Sequence, residues 1–148
     1  MSVSLYGSGQ TVLQVVSAQY NTQIAQGATT PFVSTPLTVN ITPQSTTSKI
    51  LVRASFPCQV GSSNALLVTL YRGTSTNLAL SGGVYQAFAQ LYAGSSSSYT
   101  SVPVEFLDSP SITSTTAYSV YVSAPGSTAT LFPNGTTGTI TVMEISGS

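Results

Sequence analysis

The residues that could carry out chemistry are few in this 148-residue sequence. It contains no histidine, so the most common general base and metal ligand of proteins is missing. Its one cysteine, Cys58, excludes an internal disulfide, and without histidine neither a Ser-His-Asp nor a Cys-His arrangement can form. No Gly-rich phosphate loop of the GxGxxG or Walker type occurs. We therefore expect neither a metal nor a cofactor.

Two carboxylates lie three residues apart, and a carboxylate pair is the machinery of glycoside hydrolysis. Glu105 falls on the polar positions of an alternating segment, which places it on the outer face of a strand. Asp108 begins an Asp-Ser-Pro turn, where an aspartate side chain commonly accepts hydrogen bonds from nearby backbone amides. A hydrolase needs both carboxylates to flank one cleft, and a calcium site needs more oxygen ligands than this sequence offers. The sequence therefore predicts a protein that is not an enzyme.

Charged side chains make up only 4% of the sequence, whereas an ordinary soluble domain has about 25%. The net charge is zero, which removes the repulsion that normally opposes association. Three basic residues are too few to follow a phosphate backbone, so we expect no nucleic-acid partner. Arg53 and Arg72 lie on predicted strands and could pair with Glu105 or Glu144. Pairing between subunits and pairing within one subunit both remain open at this point.

The tyrosines are the side chains best suited to contacts, since tyrosine is enriched at interfaces and at sugar-binding surfaces. Tyr118 falls on the apolar face of its predicted strand and is expected in the core. Tyr71 and Tyr121 share the opposite faces of their strands with serine or threonine. We therefore take Tyr71 and Tyr121 as interface candidates.

Short strand-like segments separated by Gly, Pro, Ser, Asn and Asp run through the whole sequence. Residues 49–56 and 117–124 alternate between apolar and polar side chains, the period of a strand. The prolines within 31–41 predict an edge strand, and 133–138 carries an Asn-Gly turn signal. Residues 84–94 fit either a helix or a strand, and their surroundings favour a strand. We predict an all-β antiparallel sandwich, jelly-roll-like, of about eight to ten strands.

No linker divides the sequence, so we expect one β-sandwich domain over residues 1–148, with residues 1–9 as an N-terminal arm. The first ten residues lack the basic and apolar regions of a signal peptide. No apolar run approaches the roughly 18 residues that a membrane span requires, so no membrane partner is expected. Synthesis in the cytoplasm of the producing cell follows as the expectation.

Four blocks of the sequence carry a resemblance to a known family. They are LTVNITPQSTTSKILVRASF, LVTLYRG, VPVEFLDSPSITSTTAYSVYV and GTITVMEI, in that order. Their order and spacing resemble a β-sandwich domain of tailed-phage, cyanophage-like virion proteins, as found in tail-fibre tips and in capsid decoration (cement) proteins. The resemblance extends over roughly residues 10–145.

The resemblance implies a jelly-roll-like homotrimer without catalysis or cofactor. Family members in fibres form the end of a longer chain, whereas this sequence starts at Met1 without a shaft, a coiled coil or a baseplate anchor. The expectation is therefore a decoration protein on the capsid surface of the virion, made in the host bacterial cytoplasm. It would clamp neighbouring subunits of the major capsid protein, which is its expected partner besides itself.

The alternative is a tail-fibre or knob module that binds host surface glycans through loops such as 94–98 and 133–138. For the decoration protein we expect apolar residues at the N-terminus to touch the shell, and outward side chains of the strands to touch other subunits. The predicted interface residues are Leu5, Tyr6, Val12, Leu13, Arg53, Tyr71, Arg72 and Tyr121.

Overall fold

The structure, a computed structural model, describes residues 9–79, 86–126 and 128–147. Within these ranges the chain forms eleven β-strands and one short 3₁₀ turn, and no α-helix. No helix in this part of the chain is long and apolar enough to span a membrane. The strands are β1 (Val12–Tyr20), β2 (Ile24–Gln26), β3 (Thr29–Ile41), β4 (Lys49–Val60), β5 (Ala65–Arg72), β6 (Thr76–Asn77), β7 (Ala89–Tyr92), β8 (Ser98–Asp108), β9 (Thr116–Ala124), β10 (Ala129–Leu131) and β11 (Gly138–Ile145).

The strands form two antiparallel sheets that pack face to face, which confirms the predicted all-β sandwich. In sheet A, β8 pairs along the whole of β4, and the other side of β4 is shared by β11 and β10. Strand β1 then pairs with β11, and β2 with β10. In sheet B the order is β3, β9 and β5, with β7 and β6 sharing the far side of β5. The long strands β3, β4 and β5 alternate between the sheets, which gives the sandwich its jelly-roll-like connectivity.

The structure confirms the alternation of apolar and polar side chains that was predicted for β4. Its even-numbered side chains from Ile50 to Val60 are buried in the core between the sheets, and its odd-numbered ones face outwards. A strand with one buried and one solvated face requires this period of two. The largest fully buried apolar side chains of the core include Leu37, Ile50, Phe56, Leu66, Leu70, Tyr118, Leu131, Phe132 and Ile140.

Strand β3 is an edge strand, as its two prolines predict, and β9 is its one partner among the described residues. The pairing of β3 with β9 changes register twice, between Thr29 and Val33 and between Ser34 and Thr38. Pro31 and Pro36 lie inside these two intervals, where a residue without an N–H cannot contribute to the ladder. The prolines therefore keep this edge irregular.

Two local predictions agree with the described residues. Of the ambiguous segment 84–94, residues 84 and 85 lie outside the described residues, and the rest contains the strand β7 and no helix, as its surroundings favoured. The predicted turn at 133–138 is present as a 3₁₀ turn at Pro133–Gly135, with Asn134 at a positive φ of 56°. It joins β10 to β11, which both lie along the same side of β4.

Phe132 closes one end of the core next to that turn. Its ring makes edge contacts with Tyr20 and Phe56, at centroid distances of 5.0 and 5.2 Å. A Cβ atom at Gly138 would lie 2.6 Å from a carbon of the Phe132 ring, so a side chain at position 138 would displace it. Glycine therefore opens β11 because Phe132 occupies the adjacent space.

Candidate interaction surface

The described residues contain no group of three His, Cys, Asp or Glu side chains that could hold a metal ion. Glu105 and Asp108 do not share a cleft, because a separation of three residues along β8 places them on opposite faces of the strand. The Glu105 side chain is 57% exposed on the outer face, whereas Asp108 is buried on the inner face. The two carboxylates therefore cannot flank one glycosidic bond.

Asp108 instead connects the two sheets at one end of the sandwich. Both of its oxygens accept hydrogen bonds from Nη1 of Arg72, at 2.9 and 2.8 Å, and Oδ2 also accepts one from the Tyr118 hydroxyl at 2.7 Å. Its backbone neighbour Ser109 donates an amide hydrogen bond to Oδ1. Burial, followed by the hydrogen bond to Asp108, raises the pKa of Tyr118 far above its ordinary value. This triad of Asp108, Arg72 and Tyr118, in which Asp108 and Tyr118 are buried, is a structural connection.

The two arginines both form ion pairs within the chain. Arg53 pairs with Glu105 across β4 and β8 at 2.7 Å, and both side chains are more than half exposed. Arg72 pairs with Asp108, so the prediction that its partner is Glu105 or Glu144 is wrong. The reason is that β5 and β8 belong to different sheets whose ends meet at Asp108, a proximity that sequence spacing does not encode.

Glu144 is fully buried on the inner face of β11. Its carboxylate accepts hydrogen bonds from Gln14 Nε2 at 2.6 Å and from the Gln44 amide at 2.7 Å. Burial acts to raise the pKa of Glu144, but these hydrogen bonds outweigh it, and the pKa lies below the ordinary value. Glu144 thus holds the loop after β3 against β1 and β11, and its charge is compensated internally.

Cys58 is completely buried in the core. Burial raises the pKa of its thiol to about 12, so the nucleophilic thiolate is scarce at neutral pH. The interpretation of Cys58 as a structural residue, made from its sequence context, agrees with this position.

The outer face of sheet B is covered by the chain itself. Tyr71 and Tyr121 stack there with ring centroids 3.9 Å apart, and Phe32 lies beside Tyr71. Tyr121 does point outwards, as predicted, but it is only 8% exposed, and Leu67 on the same face is 1% exposed. Asn77 accepts a hydrogen bond from Thr69 and donates one to the carbonyl of Gln86, which connects both residues to Asn77.

The outer face of sheet A is open in the described structure and carries a row of apolar side chains. The pairing registers place Val15 opposite Met143, Met143 opposite Leu51, and Leu51 opposite Leu107. Val15 is 56% exposed and Leu107 is 46% exposed, and the two central residues are half-buried. Ile145 extends the row on β11. We call this set of five residues, Val15, Leu51, Leu107, Met143 and Ile145, the apolar band.

The apolar band is bordered by the few charges that reach the surface. On the same face, two residues further along each strand, lies a polar row of Thr141, Arg53 and Glu105. It contains the ion pair between Arg53 and Glu105. A shallow depression of about 370 Å³ lies here, lined by both members of the pair. On the other side Lys49 faces outwards next to Ile145.

Strand β1 continues the exposed apolar surface towards the N-terminus. Val12 is 57% exposed and Leu13, at a bulge in the pairing with β11, is 38% exposed. These two predicted interface residues are therefore accessible. The other two at this end, Leu5 and Tyr6, lie outside the described residues.

No protein-family model and no curated protein matches the sequence. Among solved structures the chain is similar to a structure of the infectious bursal disease virus Gx strain, with 13% identity and a TM-score of 0.42 over 90% of this chain. It is also similar to the VP2 subviral particle of infectious bursal disease virus, with 13% identity and a TM-score of 0.43 over 91% of this chain. The chain spans about 40% of the length of these viral chains.

Sequence reasoning identified one end of this surface and missed the rest. Val12 and Leu13 were taken as interface residues, whereas Leu51, Met143 and Leu107 were read only as members of their own strands. The signal that could have linked them is their shared outward position, combined with a register that only the folded sheet provides.

Proposed function

We propose that this protein is a structural component of a virion, most specifically a capsid decoration protein that forms a homotrimer and clamps neighbouring capsid subunits. The family resemblance of the sequence blocks supports this proposal. In the structure, the observation that carries it is the distribution of side chains: two carboxylates are buried in structural contacts, and the exposed apolar residues gather along β1 and sheet A.

A decoration protein needs a surface that adheres by many weak contacts rather than one that recognises a charged ligand. Ser and Thr supply most of the polar surface, and the exposed Arg53–Glu105 pair neutralises itself. Contacts of this type depend little on salt, and three copies in one clamp multiply their effect. In this proposal the N-terminal arm, together with Val12 and Leu13 of β1, supplies the contact to the shell.

Shell binding tests the proposal. Purified shells that lack the protein are mixed with the full-length chain, with a chain lacking residues 1–9, and with a Leu13→Asp variant, and the bound fraction is measured after sedimentation. We expect the full chain to bind, and both altered chains to lose most binding. Undiminished binding by both would contradict the assignment of the N-terminus as the shell contact.

A second function has one specific observation in its favour. Tyr92 and Tyr99 flank the loop 94–98, and they are 69% and 62% exposed. Exposed tyrosine rings beside a flexible polar loop are suited to stack on sugars, as in a tail-fibre module that binds a host surface glycan. Binding of the chain to host cells, abolished by Tyr92→Ala together with Tyr99→Ala, would favour this function.

A further inference from the structure

The exposed apolar side chains of this protein are concentrated rather than scattered. Six large hydrophobic residues are exposed among the described ones, and four of them, Val12, Leu13, Val15 and Leu107, lie on sheet A at the end that carries the apolar band. Single exposed apolar residues are normal on protein surfaces, whereas a contiguous patch marks a site of interaction. The band crosses β1, β11, β4 and β8, which at about 4.8 Å between strands is a width of about 14 Å.

We propose that the apolar band docks a second copy of this chain, so that the outer face of sheet A is the contact between subunits. This inference deepens the proposed function and rests on it for the biological setting, since it identifies the surface by which copies associate. The shell contact remains with the N-terminal arm.

The charges around the band favour a second copy as the occupant. Lys49 lies at one border and forms no ion pair with any of the described residues. The chain has three carboxylate side chains, of which Asp108 and Glu144 are buried in internal contacts. Glu105, at the opposite border, is the exposed one. The face therefore carries an unpaired cation and a half-exposed carboxylate, which pairs with Arg53 in its own subunit and is still open to Lys49 of another subunit.

The low charge of this surface also favours a second copy as the occupant. The ion pair beside the band cancels its own charge, and β1 contains no charged residue at all. A second copy adds Lys49 as its one unpaired side-chain charge among the described residues of this face, so association is opposed by little net repulsion. Burial of Val15 and Leu107 in such a contact removes their apolar surface from water, which is the main favourable contribution to association.

The test measures self-association of the purified full-length chain by sedimentation equilibrium. The wild type should associate, and Val15→Asp combined with Leu107→Asp should weaken this association by about a hundredfold or more, because it buries unpaired carboxylates. Both residues are exposed in the subunit, so the variant should keep its circular dichroism spectrum and its unfolding transition.

Tyr99→Asp is the matched control. Tyr99 lies on the same strand as Leu107, faces the same side of sheet A and is 62% exposed, but it sits at the far end of β8. Its association should equal that of the wild type. A monomeric wild type, an unchanged association of the double variant, or an equal loss in Tyr99→Asp would each overturn the inference.

Charge reversal identifies the partner as a second copy. Lys49→Glu and Glu105→Lys should each weaken association. The chain that carries both changes together with Arg53→Glu should recover most of it, because every copy then offers the reversed pair and position 105 keeps an internal partner of opposite charge. Failure of the combined variant to recover would overturn the assignment of this pair.

The outcome is separable from that of the proposed function, since self-association is measured without virions. A monomeric chain that is abundant on capsids would overturn this inference alone. A self-associating chain that is nearly absent from virions would overturn the decoration role alone.

Discussion

The outer faces of the two sheets differ in how far the side chains that point away from the core are buried. On sheet B the outward residues Leu67 and Tyr121 are almost completely buried, and Tyr121 stacks against Tyr71 of the neighbouring strand. On sheet A the outward Val15 and Leu107 stay about half exposed, and no described part of the chain covers them. The outer face of sheet B is thus covered within the subunit, and the outer face of sheet A remains available to a partner.

The two arginine ion pairs repeat this difference. Arg72 is held by both oxygens of a buried carboxylate that also binds Tyr118, which fixes the ends of the two sheets to each other. Arg53 pairs with Glu105 on the open face, where both side chains are in water. One arginine–carboxylate pair therefore stabilises the fold where the sheets meet, and the other stays solvated on the open face.

The largest expected effect comes from the buried pair. Asp108→Ala should lower the free energy of unfolding by about 3 kcal/mol, because Arg72 and Tyr118 both lose their acceptor in a mostly buried site. Urea denaturation measures this. The control Glu105→Ala on the open face should cost about 0–1 kcal/mol, the usual value of an exposed pair. Similar costs for the two variants would remove the distinction between the pairs.

Leucine truncation compares the two faces directly. Leu67→Ala should lower the free energy of unfolding by about 2–4 kcal/mol, since it leaves a cavity under the cover of sheet B. Leu107→Ala should cost less than about 1 kcal/mol in a dilute, monomeric sample, because its side chain is half in water. Equal losses by urea denaturation would show that sheet A is covered in solution.

Acid sensitivity should arise from Glu144, whose folded-state pKa is below its ordinary value. Such a group contributes stability above the ordinary pKa of an unfolded glutamate, near 4.5, and loses it as the pH falls through the folded value. Glu144→Gln should therefore be less stable than the wild type at pH 6, by about 1–2 kcal/mol, and should lose less on acidification. The exposed Glu105→Gln serves as the control and should retain the wild-type acid dependence.

The smallest effect is expected near neutrality. Without histidine, no unperturbed side chain titrates between about pH 6 and 8, and the Cys58 thiol is protonated in the core. The melting temperature should be constant across this range in scanning calorimetry. A large change in the melting temperature would indicate a titrating group other than those described above.

Local patterns predicted most of the fold but only part of the surface. The alternation in β4, the strand at 117–124, the prolines of β3 and the turn at 133–138 each follow from a few neighbouring residues, and each prediction was confirmed. The core position of Tyr118 followed from the apolar positions of its strand.

Contacts between residues on different strands could not be predicted, because they depend on how distant strands pair. The apolar band joins residues from positions 15 to 145 that become neighbours only when four strands pair. Tyr121 is buried and stacks against Tyr71 of the neighbouring strand β5, a contact that alternation along one strand cannot show. The contact between Arg72 and Asp108 likewise requires the ends of two sheets to meet.

The central claim is that the open face and the N-terminus serve a shell built of many copies. The most direct measurement is the number of copies of this chain in purified virions, by quantitative mass spectrometry against the major capsid protein. We predict a copy number comparable with that of the capsid protein. A count of only a few copies per particle would contradict the decoration role and would assign the protein to the tail or to a single vertex.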